Sequence, residues 1–342
     1  MGKNKQKMSK TPFISVCTPT FNRRPFIPMM LQCFENQTYP KDKIEWIIVD
    51  DGTDPIEDLV SHIPQVKYFK YNEKLTLGKK RNICNEKSSG EIILYMDDDD
   101  YYPPERFSHA VEMLRQNPKA LCAGSSILFI YFKHISKMYR FGPYGEKHAT
   151  AATFAFRREL LQQTRFDESS CVAEEKKFLK DYTIPFVQLD PKKSIVVFSH
   201  VHNSFDKKEL LKQLPNPHIH ETDVKPEDLV KEKNILQFFM EDVDNVLELY
   251  EPGRLDHKPD VINQIKKLME TRENLNKEHM NKNIQYQETM RKLHMHNLQN
   301  DSNNLIQMVN ELTLENGQLK DKVNYLENKI KEIIQARIKS KE

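Results

Sequence analysis

The chain has 342 residues, and its 52 Lys and Arg against 50 Asp and Glu leave a formal charge of only +2. This near-balance gives no electrostatic reason to expect a nucleic-acid partner, and no apolar stretch reaches the roughly 18–20 residues that a membrane span needs. Residues 1–11 are predicted to be a flexible basic tail, without the apolar run of a secretory signal. The five cysteines form no CxxC pair, which predicts a reducing compartment: the cytoplasm or, for a viral protein, the host cytoplasm or the virion.

Short apolar runs alternate with helical stretches through residues 12–205. The runs of strand length and composition are residues 13–17, 46–49, 66–69, 92–96 and 121–131. The amphipathic stretches between them are residues 25–37, 54–62, 78–87 and 104–116. This alternation predicts an α/β fold with a mainly parallel sheet, in which ligands bind at the carboxyl ends of the strands.

Polar residues follow three of these runs. Thr18 to Arg23 follow the first, Asp50 to Gly52 the second, and four consecutive aspartates, residues 97–100, the fourth. Carboxylates so close together repel each other, so one of them is expected to take up a proton or the group to bind a cation. The alternative is a solvated acidic loop, which is less expected at the end of a buried strand.

Four segments in this order resemble the family 2 glycosyltransferases with the GT-A fold. They are TPTFNR at 18–23, VDDG at 49–52, LGKKRN at 77–82 and MDDDDYYPPERF at 96–107. The resemblance covers roughly residues 12–205 and no part of the remainder. It implies a Rossmann-like sheet that binds a nucleoside-diphosphate sugar and a metal-dependent, inverting transfer of a hexose to a hydroxyl.

The resemblance also implies roles for single residues. The expected nucleotide-sugar-binding residues are Thr18, Pro19, Arg23, Asp51, Lys80, Arg81, Asn82, Asp97 and Asp98. Asp99 is expected to coordinate Mn²⁺ or Mg²⁺, and His200, in preference to His202, to add a metal or diphosphate contact. The extra acid in the run leaves a register from Asp98 to Asp100 open.

The candidate general base is Glu175, the second acid of a Glu-Glu pair where the family carries Glu-Asp. The longer side chain extends the reach by one methylene. Alternatively, Glu174 and Glu175 are first-turn acids that stabilise a helix through its dipole. For Asp50 and Asp51 the alternative is that they cap a helix that begins at Asp54, and for Arg81 it is an ordinary surface arginine.

The second half is predicted to be helical, with an extension and linker at residues 206–260 that includes one helix over 226–250. In the charged region 261–342, a heptad pattern covers about 305–337. Its d positions are Leu305, Leu312, Leu319, Leu326 and Ile333, and its a positions are Val309, Asn316, Val323 and Ile330.

Leu at d, β-branched residues and one Asn at a predict a parallel coiled-coil homodimer. A long single helix packed on the catalytic domain is the alternative. A basic-zipper DNA-binding protein is excluded, since residues 285–304 contain only two basic side chains, Arg291 and Lys292.

The resemblance implies a hexosyltransferase of the EC 2.4 class with a UDP-linked donor as the family default, and it leaves the acceptor open among protein, lipid and glycan. A rival is a catalytically inactive GT-A module that serves as a coiled-coil scaffold. A nucleotidyltransferase would need a glycine-rich phosphate loop after the first strand, and TPTFNRRP contains no glycine.

Overall fold

The computed structural model describes residues 11–297 and 302–339. The chain forms two compact units, one up to Gln264 and one from Ile265. The predicted basic tail lies outside the described residues except for Thr11. The predicted domain limits at 205 and 260 stay predictions.

The strands of the first unit are β1 Ile14–Thr20, β2 Ile44–Asp50, β3 Val66–Lys70, β4 Ile92–Tyr95, β5 Cys122–Gly124, β6 Leu128–Phe132, β7 Lys137–Phe141, β8 Ala155–Arg157, β9 Phe186–Gln188, β10 Val196–Ser199 and β11 Ile219–Glu221. Its helices are α1 Ile27–Glu35, α2 Glu57–Val60, α3 Leu77–Lys87, α4 Arg106–Gln116, α5 Glu175–Phe178, α6 Lys208–Leu211, α7 Pro226–Leu229, α8 Lys233–Gln237 and α9 Val243–Glu248. Two long helices follow, α10 Pro259–Asn297 and α11 Ser302–Lys339.

The larger sheet has seven strands in the order β3-β2-β1-β4-β8-β5-β9. β1 runs parallel to both β2 and β4, β2 runs parallel to β3, and β8 runs antiparallel to its two neighbours. A second sheet of four strands has the order β10-β6-β7-β11. The predicted α/β class with a mainly parallel sheet and C-terminal helices is confirmed.

Alternate residues of the central strands pack into two separate cores. Trp46 and Ile48 of β2 belong to one core, and Ile47 and Val49 to the other. This is what the two-residue period of a strand requires when both faces of a sheet are covered. The sheet is therefore buried on both sides, and polar groups can reach solvent at its strand ends.

Two predicted elements are wrong in extent. The run 121–131 is not one strand: it divides into β5 and β6, which belong to different sheets. Between them Ser125 N donates to Thr153 Oγ1 at 2.9 Å, and Ser126 N donates to Gln188 Oε1 at 2.9 Å. Because side chains satisfy these backbone groups, the strand ladder ends there.

The predicted helix over 226–250 is also interrupted. Val230 is extended with ψ 115°, so α7 ends before α8 begins. Glu232, which precedes α8, accepts hydrogen bonds from Asn36 Nδ2 at 3.0 Å and Tyr101 Oη at 2.8 Å. A π-helical turn, Phe238–Asp242, then brings Phe238 and Phe239 into the core. Residues beyond 205 thus complete the core of the first unit.

The second unit consists of the remainder of α10 and α11. In α11 the side chains at six predicted heptad positions are 46–59% exposed: Val309, Leu319, Val323, Leu326, Ile330 and Ile333. The side chain of Leu305 lies outside the described residues. Among the helices that the structure describes, none is both long and apolar enough to cross a membrane.

Candidate nucleotide-sugar site

A pocket with a volume of about 140 Å³ lies at the carboxyl ends of β1 and β4, beside the start of α3. It is the location that the topology of a parallel sheet favours for a ligand. Seven of the predicted site residues line it: Pro19, Arg23, Lys80, Arg81, Asp97, Asp98 and Asp99. A larger cavity of about 480 Å³ lies beside Pro12, Glu91 and Ile92, at the amino end of β4, where such sheets do not bind ligands.

Arg23 lies in the loop after β1, the first loop, and connects it to the four aspartates 97–100, the acidic run. It is 5% exposed, and its guanidinium lies 3.5 Å from Asp98 Oδ1 and 3.2 Å from Asp99 Oδ2. Its Nη1 also donates to the carbonyl of His202 at 2.8 Å. Arg23 therefore holds the end of β1, the acidic run and the loop after β10 together.

The four aspartates differ in ionisation. Burial raises the pKa of Asp97, raises that of Asp98 to about 7, and, with the charge of Asp99, raises that of Asp100 well above its usual range. Burial would also raise the pKa of Asp99, but Arg23 and His200 hold it well below its usual range. Asp99 is thus the carboxylate of the run that stays ionised most firmly.

Asp51 and Lys80 form a buried ion pair beside the pocket. Lys80 Nζ lies 2.8 Å from Asp51 Oδ1 and donates to the carbonyl of Thr20 at 3.1 Å. The other oxygen of Asp51 accepts from the backbone N–H of Leu75 at 2.5 Å. Of the two aspartates for which a helix cap was the alternative, Asp50 accepts from Gly52 N and from Ile56 N just before α2.

Arg81 is buried and not a surface arginine. Its Nε donates to Glu174 Oε1 at 2.7 Å, and its Nη2 lies 3.5 Å from Asp97 Oδ1. The guanidinium lies 4.4 Å from the centroid of the Tyr95 ring. Among the described residues, neither Arg81 Nη1 nor Asp97 Oδ1, both buried, forms a hydrogen bond, and the only ion-pair contact of Oδ1 is the one with Arg81 Nη2. Buried polar atoms normally have a partner, so these two atoms are suited to receive a ligand group.

His200 lies behind the acidic run. Its Nε2 is 3.3 Å from Asp99 Oδ2 and 2.8 Å from Asn203 Nδ2. Burial lowers the pKa of His200 to about 4, so the imidazole is neutral at pH 7 and carries a lone pair on one of its two ring nitrogens. His202 instead uses its backbone carbonyl to hold Arg23.

The residues present fit a hard divalent cation. Within residues 11–297 and 302–339, no three His, Cys, Asp or Glu side chains are grouped so that they could hold a metal ion. Mg²⁺ commonly uses one or two carboxylates and completes its shell with water and substrate phosphates. The ionised Asp99 and the neutral His200 beside it suit a cation that is bound by the protein and the substrate together. In the structure, Arg23 lies against the same Asp99 carboxylate and balances its charge.

Glu175 is the first residue of α5 and does not line the pocket. Burial and the charge of Glu174 raise its pKa to about 7. Glu174 itself is 4% exposed and reaches the site through Arg81. Glu174 therefore binds the Arg81 guanidinium, whereas Glu175 has a pKa close to neutral pH.

Thr18 and Asn82 point away from the pocket. The Thr18 hydroxyl donates to the carbonyl of Met96 at 2.6 Å and accepts from Trp46 Nε1 at 2.9 Å. The amide of Asn82 donates to the carbonyl of Phe166 and accepts from its N–H, both at 3.0 Å. These contacts support the site from inside, and a direct contact of either residue with a donor stays a prediction.

The pocket also contains residues that the sequence did not indicate. Residues 250–264, named here the closing segment, contribute Lys258, Asp260 and Val261 to its wall. Nothing in the sequence pattern pointed to these residues, because the family resemblance ends near residue 205.

Contacts on two sides fix the closing segment. On one side, Tyr250 Oη donates to Asp54 Oδ2 and Asn22 Nδ2 to the carbonyl of Pro252, each at 2.8 Å. On the other, Gln264 Oε1 accepts from Cys171 N at 2.6 Å, and Asp260 forms an ion pair with Lys74. The segment therefore reaches from the first loop to the loop that precedes Glu174.

Comparison with known proteins identifies the region that carries most of this site. Residues 15–182 match the family described as Glycosyl transferase family 2. TarS of Staphylococcus aureus, a poly(ribitol-phosphate) beta-N-acetylglucosaminyltransferase, is 29% identical over 135 residues, covering 36% of this chain and 21% of TarS. A Campylobacter jejuni GalNAc(5)-diNAcBac-PP-undecaprenol beta-1,3-glucosyltransferase is 32% identical over 112 residues, covering 31% of this chain and 34% of that protein.

Among solved structures, the similar ones include a mannosyltransferase of Pyrobaculum calidifontis in complex with GDP-Man and Mn²⁺. The matched region covers 55% of this chain and 57% of the mannosyltransferase chain. The TM-score is 0.44, and the sequence identity is 19%. The chain spans only about a fifth of TarS and a third of the Campylobacter protein. The helices α10 and α11 lie outside the matched family region.

Proposed function

Since residues 15–182 form a family 2 glycosyltransferase domain, we propose that the chain transfers a hexose from a nucleoside-diphosphate sugar to a hydroxyl acceptor, with inversion at the anomeric carbon. The observation that carries the proposal is the mixed-charge pocket at the ends of β1 and β4. Arg23 and Arg81 lie against the acidic run there, and Lys80 lines the same pocket. This combination suits a diphosphate and a divalent metal better than either charge alone would.

Asp99 and His200 would hold Mn²⁺ or Mg²⁺, with Asp97 and Asp98 near the sugar nucleotide. The bound metal would neutralise the charge that develops on the leaving diphosphate. Arg23 supports this assignment, because its guanidinium already balances Asp99 and can turn to a phosphate oxygen when a cation takes over that carboxylate. Asp51 keeps Lys80 oriented toward the pocket, and Glu174 does the same for Arg81.

Glu175 would act as general base. An inverting transfer needs a carboxylate on the acceptor side to remove the hydroxyl proton as the anomeric carbon is attacked. A pKa of about 7 is near the optimum for this task, since the group is a stronger base than an ordinary carboxylate yet is substantially ionised at neutral pH. The short helix α5 places Glu175 next to Glu174, which binds Arg81 at the donor pocket.

A thermal-shift screen would test the donor class. Purified full-length chain is heated with UDP-glucose, UDP-GlcNAc or GDP-mannose, each with Mn²⁺ and with EDTA. A ligand that binds the folded state raises the melting temperature by mass action, so we expect one donor to stabilise the protein only with metal, UDP-linked sugars being the first to try. No shift with any of the three would contradict the proposal.

Hydrolysis of the stabilising donor separates an enzyme from a scaffold. A competent site should slowly transfer the sugar to water, which release of the nucleoside diphosphate would detect. Binding without any hydrolysis or transfer would favour the inactive scaffold. The Glu at the base position, where the family carries Asp, is the feature that supports this alternative.

We further propose that α11 forms a parallel, in-register coiled coil with a second copy of the chain. The half-exposed apolar side chains of α11 recur at a and d, and the flanking charges are complementary between copies: Glu315 would face Lys320, and Lys322 would face Glu327. A buried Asn316 pairs best with its own counterpart, which favours the parallel register.

Light scattering coupled to size exclusion tests this dimer. Leu319→Asp with Leu326→Asp should convert a dimer into a monomer, because the charges would lie in the seam. Leu314→Asp is the matched control: Leu314 is 66% exposed and lies on the outer face of the heptad. A monomeric wild-type chain, or equal effects of both changes, would contradict the coiled coil.

A further inference from the structure

Lys258 is an unusual member of the pocket wall. The residue is 5% exposed, and its ammonium lies 5.6 Å from the centroid of the Phe21 ring. In the part of the chain that the structure describes, no carboxylate forms an ion pair with it. A buried charge without a partner is costly, so the position calls for an explanation.

Lys258 lines the pocket together with Arg23, Lys80, Asp98 and Asp99. Burial and the nearby charge of Arg23 lower the pKa of Lys258 well below its usual range, and Asp98 and Asp99 oppose this only in part. An incoming anion would reverse this balance, because it would compensate the ammonium directly.

The other cations of the pocket already have partners. Lys80 pairs with Asp51, and Arg81 pairs with Glu174. Arg23 lies against Asp98 and Asp99. An anion that enters the pocket would therefore find Lys258 as the cation with the least internal compensation.

We propose that Lys258 is a donor-binding residue that contacts the diphosphate of the nucleotide sugar when the closing segment is seated. This inference rests on the proposed function. It assigns part of the donor site to a residue 76 positions beyond the end of the matched family region at residue 182. The hydrogen bonds from Cys171 N to Gln264 and from Asn22 to the carbonyl of Pro252 hold the closing segment, and with it the Lys258 ammonium, in place.

The test compares a nucleoside diphosphate with its nucleoside. Dissociation constants of UDP are measured by calorimetry and those of uridine by ligand-observed NMR, with GDP and guanosine if the guanine donor stabilises the chain. Lys258→Met should weaken UDP about 10- to 100-fold and leave uridine unchanged, and Lys258→Arg should restore most of the UDP affinity. Lys79→Met, an exposed lysine outside the pocket wall, is the charge-matched control and should change neither.

The outcomes separate the two proposals. UDP affinity that is unchanged in Lys258→Met, or that falls together with uridine affinity, would overturn the role of Lys258 while the donor site stands. A wild-type chain that binds neither nucleoside diphosphate would overturn both. Lys258→Gln, neutral but polar, gives the same comparison if Lys258→Met does not fold.

Discussion

Two regions of the chain form the same pocket in different ways. Residues 15–182 bring charges that are already balanced, as in the ion pairs Lys80–Asp51 and Arg81–Glu174. The closing segment brings Lys258, which forms no ion pair with any residue that the structure describes, and is held by a few polar contacts. The first region is thus preorganised before any ligand arrives, which is how enzyme sites stabilise charge most effectively. The second has its charge satisfied only when a ligand is present.

The largest effect should come from the acidic run. Asp99→Asn should abolish transfer and donor hydrolysis, a loss of at least roughly 10²–10³-fold, because it removes the one carboxylate that stays firmly ionised. Rates are measured by nucleotide release at saturating donor and Mn²⁺, and circular dichroism checks the fold.

Asp100→Asn is the matched control for that change. Burial and the charge of Asp99 raise the pKa of Asp100 well above its usual range, so this side chain favours its neutral form more than Asp99 does, and the amide is a close substitute for that form. We expect activity within a few-fold of wild type. The reverse pattern, with Asp100 essential and Asp99 dispensable, would assign the metal to the Asp98–Asp100 register.

A smaller effect is expected from pH. The base acts in its deprotonated form, so with the pKa of Glu175 near 7 kcat should be level above about pH 7.5 and fall about tenfold per unit below pH 6.5. The measurement is a kcat profile from pH 5.5 to 9 at saturating substrates. In Glu175→Gln the residual rate should lose this dependence. A profile that keeps the same shape in the variant would assign the titration to another group, such as Asp98.

The smallest effect should come from the closing segment. A Cβ at Gly253 would lie 2.6 Å from His202 Nδ1 and 2.9 Å from the carbonyl of Asn22, so Gly253→Ala should push the segment outward. We expect KM for the donor to rise about threefold to tenfold, with kcat nearly unchanged, as for loss of uniform binding. Gly317→Ala has nothing within 4 Å of the added Cβ and should leave KM unchanged. An equal fall in kcat would mean that the segment also positions reacting groups.

The sequence predicted the balanced region far better than the closing segment. Runs such as residues 46–49 are apolar on both faces, and that pattern is enough to predict a buried parallel strand and the polar residues at its end. The direction of a side chain is not readable in this way. Thr18 and Asn82 sit at the expected positions, yet local partners, Trp46 and the backbone of Phe166, turn them inward.

The contribution of the closing segment depends on contacts between distant parts of the chain. The hydrogen bond from Asn22 to Pro252 joins residues 230 positions apart, and no periodicity encodes such a pairing. The break after β5 was missed for a related reason, since Thr153 and Gln188 supply the hydrogen bonds that end the strand. The local sequence pattern thus predicts the strands and helices, whereas contacts with distant parts of the chain determine where each strand or helix ends and what it packs against.

The indole of Trp46 has a practical consequence. It is the one tryptophan in the sequence, it is fully buried, and it stacks on Phe34 with ring centroids 4.2 Å apart. Excitation at the red edge of its absorption would therefore report on the strand core alone, whereas far-ultraviolet ellipticity would be dominated by the two long helices. Melting followed by both signals would show whether the sheet and the helical tail lose structure in one transition or in two.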